Sequence, residues 1–381
     1  SHHRTKYDMA HRLVVVGSGI VGLAHAKIAH ERGWAVTVIE RDPEPRGASV
    51  RNFGTLWPIG QPHGPRRERA LRSMQHWHAA SDAAGFWMAP SGSLHLAYLE
   101  EGWRVLQEYA AAAPDEDDIT LLTARQATER FPSVEPSGLK GALFSASEAT
   151  VQPPQAIGHL VRWLGAEGVA FRFGRPVVGV DDHAAVLSDG TAVPFDRLVV
   201  CCGTVGNLLY VDALEAAGGR PCQIQMMCAV PERDGVDIGP ILAADLTLRH
   251  YACFQGCPSR GALAERIETE MPFHEDWGIH VLVAQHADGS IALGDSHEYG
   301  PAPTIGSRMP VDAAVLDYLD GMTALGPLAI ERHWTGSYLK APEGQSYIHL
   351  QPEPDVDVVT GLGGAGMTLS FGLAEDVIAQ W

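Results

Sequence analysis

The sequence is poor in lysine: of 28 basic residues only Lys6, Lys27, Lys140 and Lys340 are lysines, the rest being arginine. A role that needs an ammonium side chain therefore has few candidates. No apolar run reaches the ~20 residues that cross a bilayer, and nothing resembles a signal peptide. The six cysteines, Cys201, Cys202, Cys222, Cys228, Cys253 and Cys257, include no C-x-x-C pair and sit in apolar surroundings. They read as reduced, buried thiols, which gives a cytoplasmic expectation. Positive charge is in deficit, with a net charge of −18. That opposes nucleic acid or an anionic membrane as partner, while leaving room for a local basic pocket. No H-E-x-x-H and no G-x-S-x-G is present. The histidines of "HWH" (76–78) lie two apart in a helical stretch and face apart, so no metal is expected.

What is there begins with "HRLVVVGSGIVGLAHAKIAHERGWAVTVIE" at 11–40. Leu13–Val16 is an all-apolar strand of the kind covered on both faces. Gly17, Gly19 and Gly22 follow as G-x-G-x-x-G: the first permits a tight turn, the second lets backbone approach a pyrophosphate, the third lets helix and strand pack closely. A helix over Ile20–Arg32 and a second strand over Ala35–Ile39 complete the unit. Glu40, 18 residues beyond Gly22, suits a carboxylate on a ribose hydroxyl pair. The ligand therefore contains an ADP half.

Three later stretches select FAD over NAD. "RGASVRNFGTLWPIGQ" (46–61) is a Gly/Ser/Asn-rich loop where a nicotinamide enzyme would carry another plain βα unit. "FDRLVVCCGTVGN" (195–207) reads as a strand returning to the same sheet from far along the chain. "DVVTGLGGAGMTLSFGLAEDVIAQW" (357–381) reads as strand, glycine loop and a helix over Thr368–Gln380, whose free N–H groups would face the charge on a reduced flavin. No second G-x-G-x-x-G would seat a nicotinamide beside the flavin, which favours substrates that reduce it directly.

With these motifs, "GSLHLA" (92–97) and "GLKGALFSASEATVQPPQAIGHL" (138–160), the chain resembles the glutathione-reductase-like FAD superfamily over nearly its whole length. The branch is that of D-amino-acid oxidase, glycine oxidase and monomeric sarcosine oxidase. "LTLRHYACF", "WGIHVLVAQHADG" and "GDSHEYG" further resemble a bacterial subgroup whose genes often lie beside phosphonate-catabolism genes. The resemblance implies an α/β fold: an FAD-binding Rossmann domain with an inserted α+β substrate domain on an antiparallel sheet. The FAD domain is expected over 9–90, 145–220 and 335–381, and the substrate domain over 91–144 and 221–334. Strands are expected at Gln223–Val230, Thr247–Phe254, His280–Gln285 and Ser290–Gly294, with a solvent-facing helix in "RGALAERIETEMP".

The expected FAD contacts are Gly17, Ser18, Gly19, Ile20, Val21, Gly22, Glu40, Arg41, Ala48, Ser49, Arg51, Asn52, Val177, Cys202, Gly203, Gly336, Gly363, Gly364, Gly366, Met367 and Thr368. Relatives with covalent flavin carry a cysteine in the segment matching Trp334, Thr335, Gly336, Ser337 and Tyr338; none stands here, so the flavin is expected to be noncovalent. Amino-acid oxidases often place a carboxylate-clamping arginine in that stretch, where this chain has Tyr338, with Lys340 two residues on.

The expected chemistry is hydride transfer from the carbon of a small primary or secondary amine to flavin N5, the imine then hydrolysing to a carbonyl compound. The nitrogen lone pair drives this, and no carboxylate–histidine pair is required. Expected pocket residues are Arg51, Trp57, Arg249, Tyr251, His297, Tyr299, Tyr338 and Lys340, with Arg249 and Tyr251 sharing one strand face and His297 and Tyr299 another. Each could equally be a half-buried residue satisfied by its neighbours. The subgroup resemblance implies 2-aminoethylphosphonate or its N-methyl derivative, oxidised to phosphonoacetaldehyde. A D-amino acid, glycine or sarcosine oxidase, and an amine dehydrogenase passing electrons to a carrier other than O₂, are the alternatives. A non-catalytic or tRNA-modifying relative is a third, opposed by the acidic balance. The sequence leaves the oligomeric state open.

Overall fold

A computed structural model describes residues 9–203 and 209–381, so the last part of the 195–207 stretch lies outside the described residues. Leu13, Val14, Val15 and Val16 are all buried, as a strand covered on both faces must be. This strand, Arg12–Val16, pairs in parallel with Ala35–Ile39 on one side and Arg197–Val200 on the other. Ala170–Arg172 extends the sheet beyond Ala35–Ile39, and Val356–Thr360 beyond Arg197–Val200, both in parallel. Ile348–Glu353 closes that edge as an antiparallel strand.

The chain leaves the first strand through Gly17, at φ +105°, and enters the helix Ile20–Glu31. Gly22 sits where a Cβ would lie 2.0 Å from the Gly17 carbonyl oxygen, so only glycine lets the helix pack this close. That helix lies against the C-terminal helix Gly366–Ile378 and near Pro65–Ala84, around the buried side chains Leu23, Trp77 and Phe371. Trp77 is fully buried and satisfies its one donor by giving Nε1–H to the Met367 carbonyl at 2.7 Å.

A second, mixed sheet stands over the first. The long strands Arg220–Pro231 and Leu328–Lys340 form an antiparallel ribbon running from Arg220 opposite Lys340 to Pro231 opposite Leu328. Ile291–Gly294 and Leu282–Gln285 continue it, followed by Ile241–Ala243, Ser93–Ala97, Gly141–Ser145 and Ile119–Thr123. Its core is a separate apolar cluster that includes Leu94, Leu242, Leu282 and Leu293. Leu328–Lys340 belongs wholly to this sheet, so the division expected at 335 falls inside one strand.

One expected strand is overturned. Thr247–Phe254 is not extended: Asp245–Leu248 is a short helix and Ala252–Phe254 a 3-10 turn. Thr247 and Leu248 are both fully buried, whereas an alternating strand would show every second residue. The apolar run reflects a helix wedged between layers. The charged helix Arg260–Glu270 is present and is anchored by Leu263 and Ile267.

Candidate functional site

The C-terminal ends of the parallel strands open onto a cleft of about 420 Å³. Its floor is the turn into the first helix, where a Cβ on Gly19 would come within 3.0 Å of Ser49 Oγ. The Ile20 backbone N–H donates to that same oxygen at 2.9 Å, which binds the 48–50 loop to the helix N-terminus. Glu40, at the end of the second strand, is held in place: Oε1 accepts from the Ser18 backbone N–H (3.1 Å) and hydroxyl (2.8 Å), and Oε2 from the Asp42 N–H (3.0 Å). Arg41 and Arg46 line the same end.

The cleft runs on into an inner cavity of about 250 Å³, the two sharing Ile20, Ser49, Arg51, Tyr338, Gly363 and Gly366. Gly361 and Gly363, at φ +77° and +58°, turn the chain into the helix Gly366–Ile378, whose N-terminus is exposed to this cavity. A glycine-floored cleft with a helix N-terminus at each end fits a dinucleotide: the first dipole faces a pyrophosphate, the second the far ring system. Gly17, Gly19, Ile20 and the 48–51 loop can hold the phosphates, Glu40 the ribose, and Gly361–Met367 the ring.

The inner cavity's far wall is polar in an unexpected way. His250, Tyr251, His280, Asp295 and His297 line it, joined by Tyr338 and Lys340 from the long strand and by Arg51 and Arg66. His250 stacks on His280, with centroids 4.1 Å apart and planes at 20°, and lies 4.7 Å from His297. The ring nitrogens of these three come within 4.8 Å of one another. A shared ion must lie in the plane of every ring that binds it; stacked planes run alongside each other and do not converge on such a point. The cluster is therefore three imidazoles packed together around Asp295. Burial lowers the affinity of His250 and His297 for protons, with the neighbouring histidines acting in the same sense. Burial pushes the Tyr251 and Tyr338 hydroxyls up and the Cys222 thiol up to about 11, so all three stay protonated.

Most of the residues singled out in the sequence lie on this lining. Gly17, Gly19, Ile20, Val21, Glu40, Arg41, Ala48, Ser49, Arg51, Val177, Cys202, Gly203, Tyr338, Gly363 and Gly366 border the outer cleft. Asn52, Tyr251, His297, Gly336, Lys340, Gly364 and Met367 border the inner cavity. Ser18 and Gly22 act from behind, the first through Glu40 and the second through helix packing. Thr368 is buried and accepts the Trp57 backbone N–H at 2.9 Å; the Trp57 ring packs between His95 and Tyr251, behind the wall.

Four expectations are corrected: Trp57 and Thr368 are buried off the lining, and Arg249 and Tyr299 also stand away from it. Arg249 caps the short helix and turns away from the cavity, donating to the carbonyls of Leu246 (3.1 Å) and Ile279 (3.0 Å) and pairing with Glu275 at 3.0 Å. Tyr299 is 46% exposed and off the lining; its hydroxyl instead accepts from Lys340 Nζ at 3.2 Å. Arg46, Arg66, His250 and Asp295 were not singled out, and His280 was not expected in the pocket. Arg66 was legible only as a charged helix start, and the histidines come from three separate segments with no spacing rule linking them. A carboxylate also stands beside a histidine in this wall, with Asp295 Oδ1 3.2 Å from His280 Nε2 but outside hydrogen-bond alignment.

The model of a family described as FAD dependent oxidoreductase matches residues 12–381. The chain is 25% identical, over 97% of its length, to the tRNA 5-methylaminomethyl-2-thiouridine biosynthesis bifunctional protein MnmC of Polaromonas naphthalenivorans, of which it spans 56%. The chain thus covers little more than half of that relative. In fold it is similar to glycine oxidase of Bacillus cereus (TM-score 0.76, 16% identity, covering 97% of this chain and 96% of that one). It is likewise similar to L-proline dehydrogenase of P. horikoshii (TM-score 0.77, 20% identity, 97% and 94%).

Proposed function

The chain belongs to the FAD-dependent oxidoreductase family, and from that premise we propose that it oxidises a C–N bond of a small amine carrying an anionic end. FAD, when bound, supplies a two-electron acceptor for a hydride leaving carbon. Everything else is the work of the cavity. Its walls exclude water, hold the substrate carbon toward the ring site at Gly361–Met367, and hold the anion away from it. The imine product hydrolyses to a carbonyl compound and an amine or ammonia.

One observation carries this reading. Three cations line the inner cavity, Arg51, Arg66 and Lys340, and among the described residues none of them forms an ion pair. Arg51 donates to the carbonyls of Arg46 (2.6 Å) and Thr335 (3.2 Å), Arg66 to the Gly344 carbonyl, and Lys340 to the Tyr299 hydroxyl. Uncompensated cations in a concave wall suit a multiply charged anion bound by charge-assisted hydrogen bonds. A phosphonate presents three acceptor oxygens to such a set, and 2-aminoethylphosphonate or its N-methyl derivative, yielding phosphonoacetaldehyde, meets both requirements.

The flavin is proposed to be noncovalent. The strand passing the ring site carries Trp334–Tyr338 and no thiol, and burial pushes the Cys202 thiol up to about 12, leaving no thiolate to attack. The name of the Polaromonas relative concerns tRNA; a net charge of −18 opposes a polyanion of that size as substrate here.

Anaerobic mixing of the yellow holoenzyme with 2-aminoethylphosphonate, its N-methyl derivative, sarcosine, glycine and D-amino acids tests the reading. The aminophosphonates should bleach the flavin fastest. Bleaching by sarcosine or glycine alone would overturn the phosphonate assignment, and no bleaching by any amine would overturn the C–N chemistry. Hydrogen peroxide release on readmitting air separates O₂ from another acceptor.

A further inference from the structure

Resting on that reading, we propose that Asp295 is the seat of the substrate's ammonium group, and that His297 receives the proton the ammonium must lose. The Asp295 side chain is 7% exposed and lies on the cavity wall. Its Oδ1 is buried without a hydrogen bond: His280 Nε2 is 3.2 Å away but misaligned, and His297 Nε2 stands 3.9 Å from Oδ2. A buried carboxylate oxygen without a donor is costly, and the cost is removed by a ligand that brings N–H groups and a positive charge.

The surrounding groups leave that position to a ligand. His280 and His297 stand against Asp295, with His250 packed on both of them, while Tyr251, Tyr338 and Cys222 stay uncharged near it. Lys340 is a cation of the same cavity, on the strand beyond Arg220–Pro231, and it is turned to Tyr299. Arg249, behind His250, is spent on Glu275. Carboxylate and cations thus share one small cavity at different places, matching a zwitterion with an ammonium at one end and an anion at the other.

His297 can take the proton: burial lowers its affinity, and the Asp295 carboxylate beside it acts in the opposite sense. Its Nδ1–H donates to the Gly278 carbonyl at 2.7 Å, which leaves the Nε2 lone pair facing the cavity. The ammonium N–H bond breaks, its electron pair stays on nitrogen, and the proton bonds to His297 Nε2 beside the Asp295 carboxylate. The nitrogen then holds the lone pair that hydride loss from carbon requires.

Equilibrium binding to dithionite-reduced holoenzyme, which cannot turn the amine over, tests this by calorimetry. The probes are 2-aminoethylphosphonate and propylphosphonate, in which a methyl replaces the ammonium. Wild type should prefer the amine by about tenfold or more. Asp295→Asn should lose that preference and keep its affinity for propylphosphonate; an unchanged preference overturns the seat. In wild type the affinity should stay flat from pH 7 to 9, since the cation is what binds. A tenfold fall per pH unit on acidification would mean that neutral amine is selected, and overturns it without any variant. His297→Gln should keep the amine preference and bleach at least tenfold more slowly, and equal bleaching removes His297 from the scheme. If neither phosphonate binds, the anion assignment has failed, and sarcosine against butyrate decides the seat by the same criteria; no advantage for sarcosine overturns it.

Discussion

The two walls of one cavity are built on different principles. The floor, from Gly17 to the 48–51 loop and from Gly361 to Met367, is largely backbone: tight turns, helix N-termini, and glycines such as Gly17, Gly22 and Gly361 where no Cβ fits. The far wall is side chain: imidazoles, a carboxylate, phenols and Lys340 brought together from four distant stretches of the second sheet and its loops, with Arg51 and Arg66 reaching in from the floor side. Backbone architecture is written in short spacing rules, whereas a side-chain wall is written only in the fold. The first holds a cofactor shared by a large family, and the second is free to be remade for each substrate.

The sharpest way to break this comparison is to put a side chain into the floor. In Gly22→Val the new Cβ meets the Gly17 carbonyl oxygen at 2.0 Å and Val15 Cγ1 at 3.2 Å, so the helix must lift from the strand. The expected outcome is a colourless protein, read as flavin absorbance per mole of chain, with a lower melting temperature. Full flavin content would show that the fingerprint turn is not what grips the cofactor.

A second test turns on the stacked imidazoles, which belong to the far wall and not to the floor. His250 and His297 bind protons less readily folded than unfolded, because burial disfavours their cations. Between the ordinary histidine value near 6.5 and the lowered folded values, the unfolded chain therefore binds more protons, and stability falls as pH falls. The full contribution is present above about pH 6.5. Below it, each ring removes at most about 1.4 kcal/mol per pH unit, and only down to its own lowered folded value. Denaturant titration at pH 7.5, 6 and 5 should show this slope, and His250→Gln should flatten it by one proton's worth. An unaltered acid limb would mean that His250 is solvated, and the wall looser than its stacking distances show.

This contrast decides what could be read from the chain. The ADP-binding unit was legible because Gly17, Gly19, Gly22 and Glu40 lie within one βαβ segment, each at a place set by backbone geometry. The C-terminal glycine loop was legible for the same reason, although its helix begins at Gly366, two residues before the expected Thr368. Asp295 was invisible because nothing local distinguishes it; its meaning comes from His280 and His297, which pack against it from neighbouring segments. The run 247–254 misled because a buried helix and a buried strand are both apolar, and four residues are too few to show a period.

Arg249 follows from that misreading and gives the smallest expected effect on ligands. On a strand, alternation would have put Arg249 beside Tyr251 in the cavity. On the observed helix end its guanidinium is consumed by three carbonyls and Glu275, which stands 43% exposed and can be rehydrated when the arginine is gone. Arg249→Met should thus cost stability, about 2–3 kcal/mol from lost buried hydrogen bonds and charge pairing, yet change the affinity of reduced holoenzyme for 2-aminoethylphosphonate less than twofold. A direct anion ligand would instead cost about tenfold or more on truncation. A drop of that size, measured well below the melting temperature, would return Arg249 to the cavity and make the far wall a basic pocket with Asp295 as its counter-ion. The loss of stability without loss of affinity separates a residue that builds the wall from one that faces the substrate.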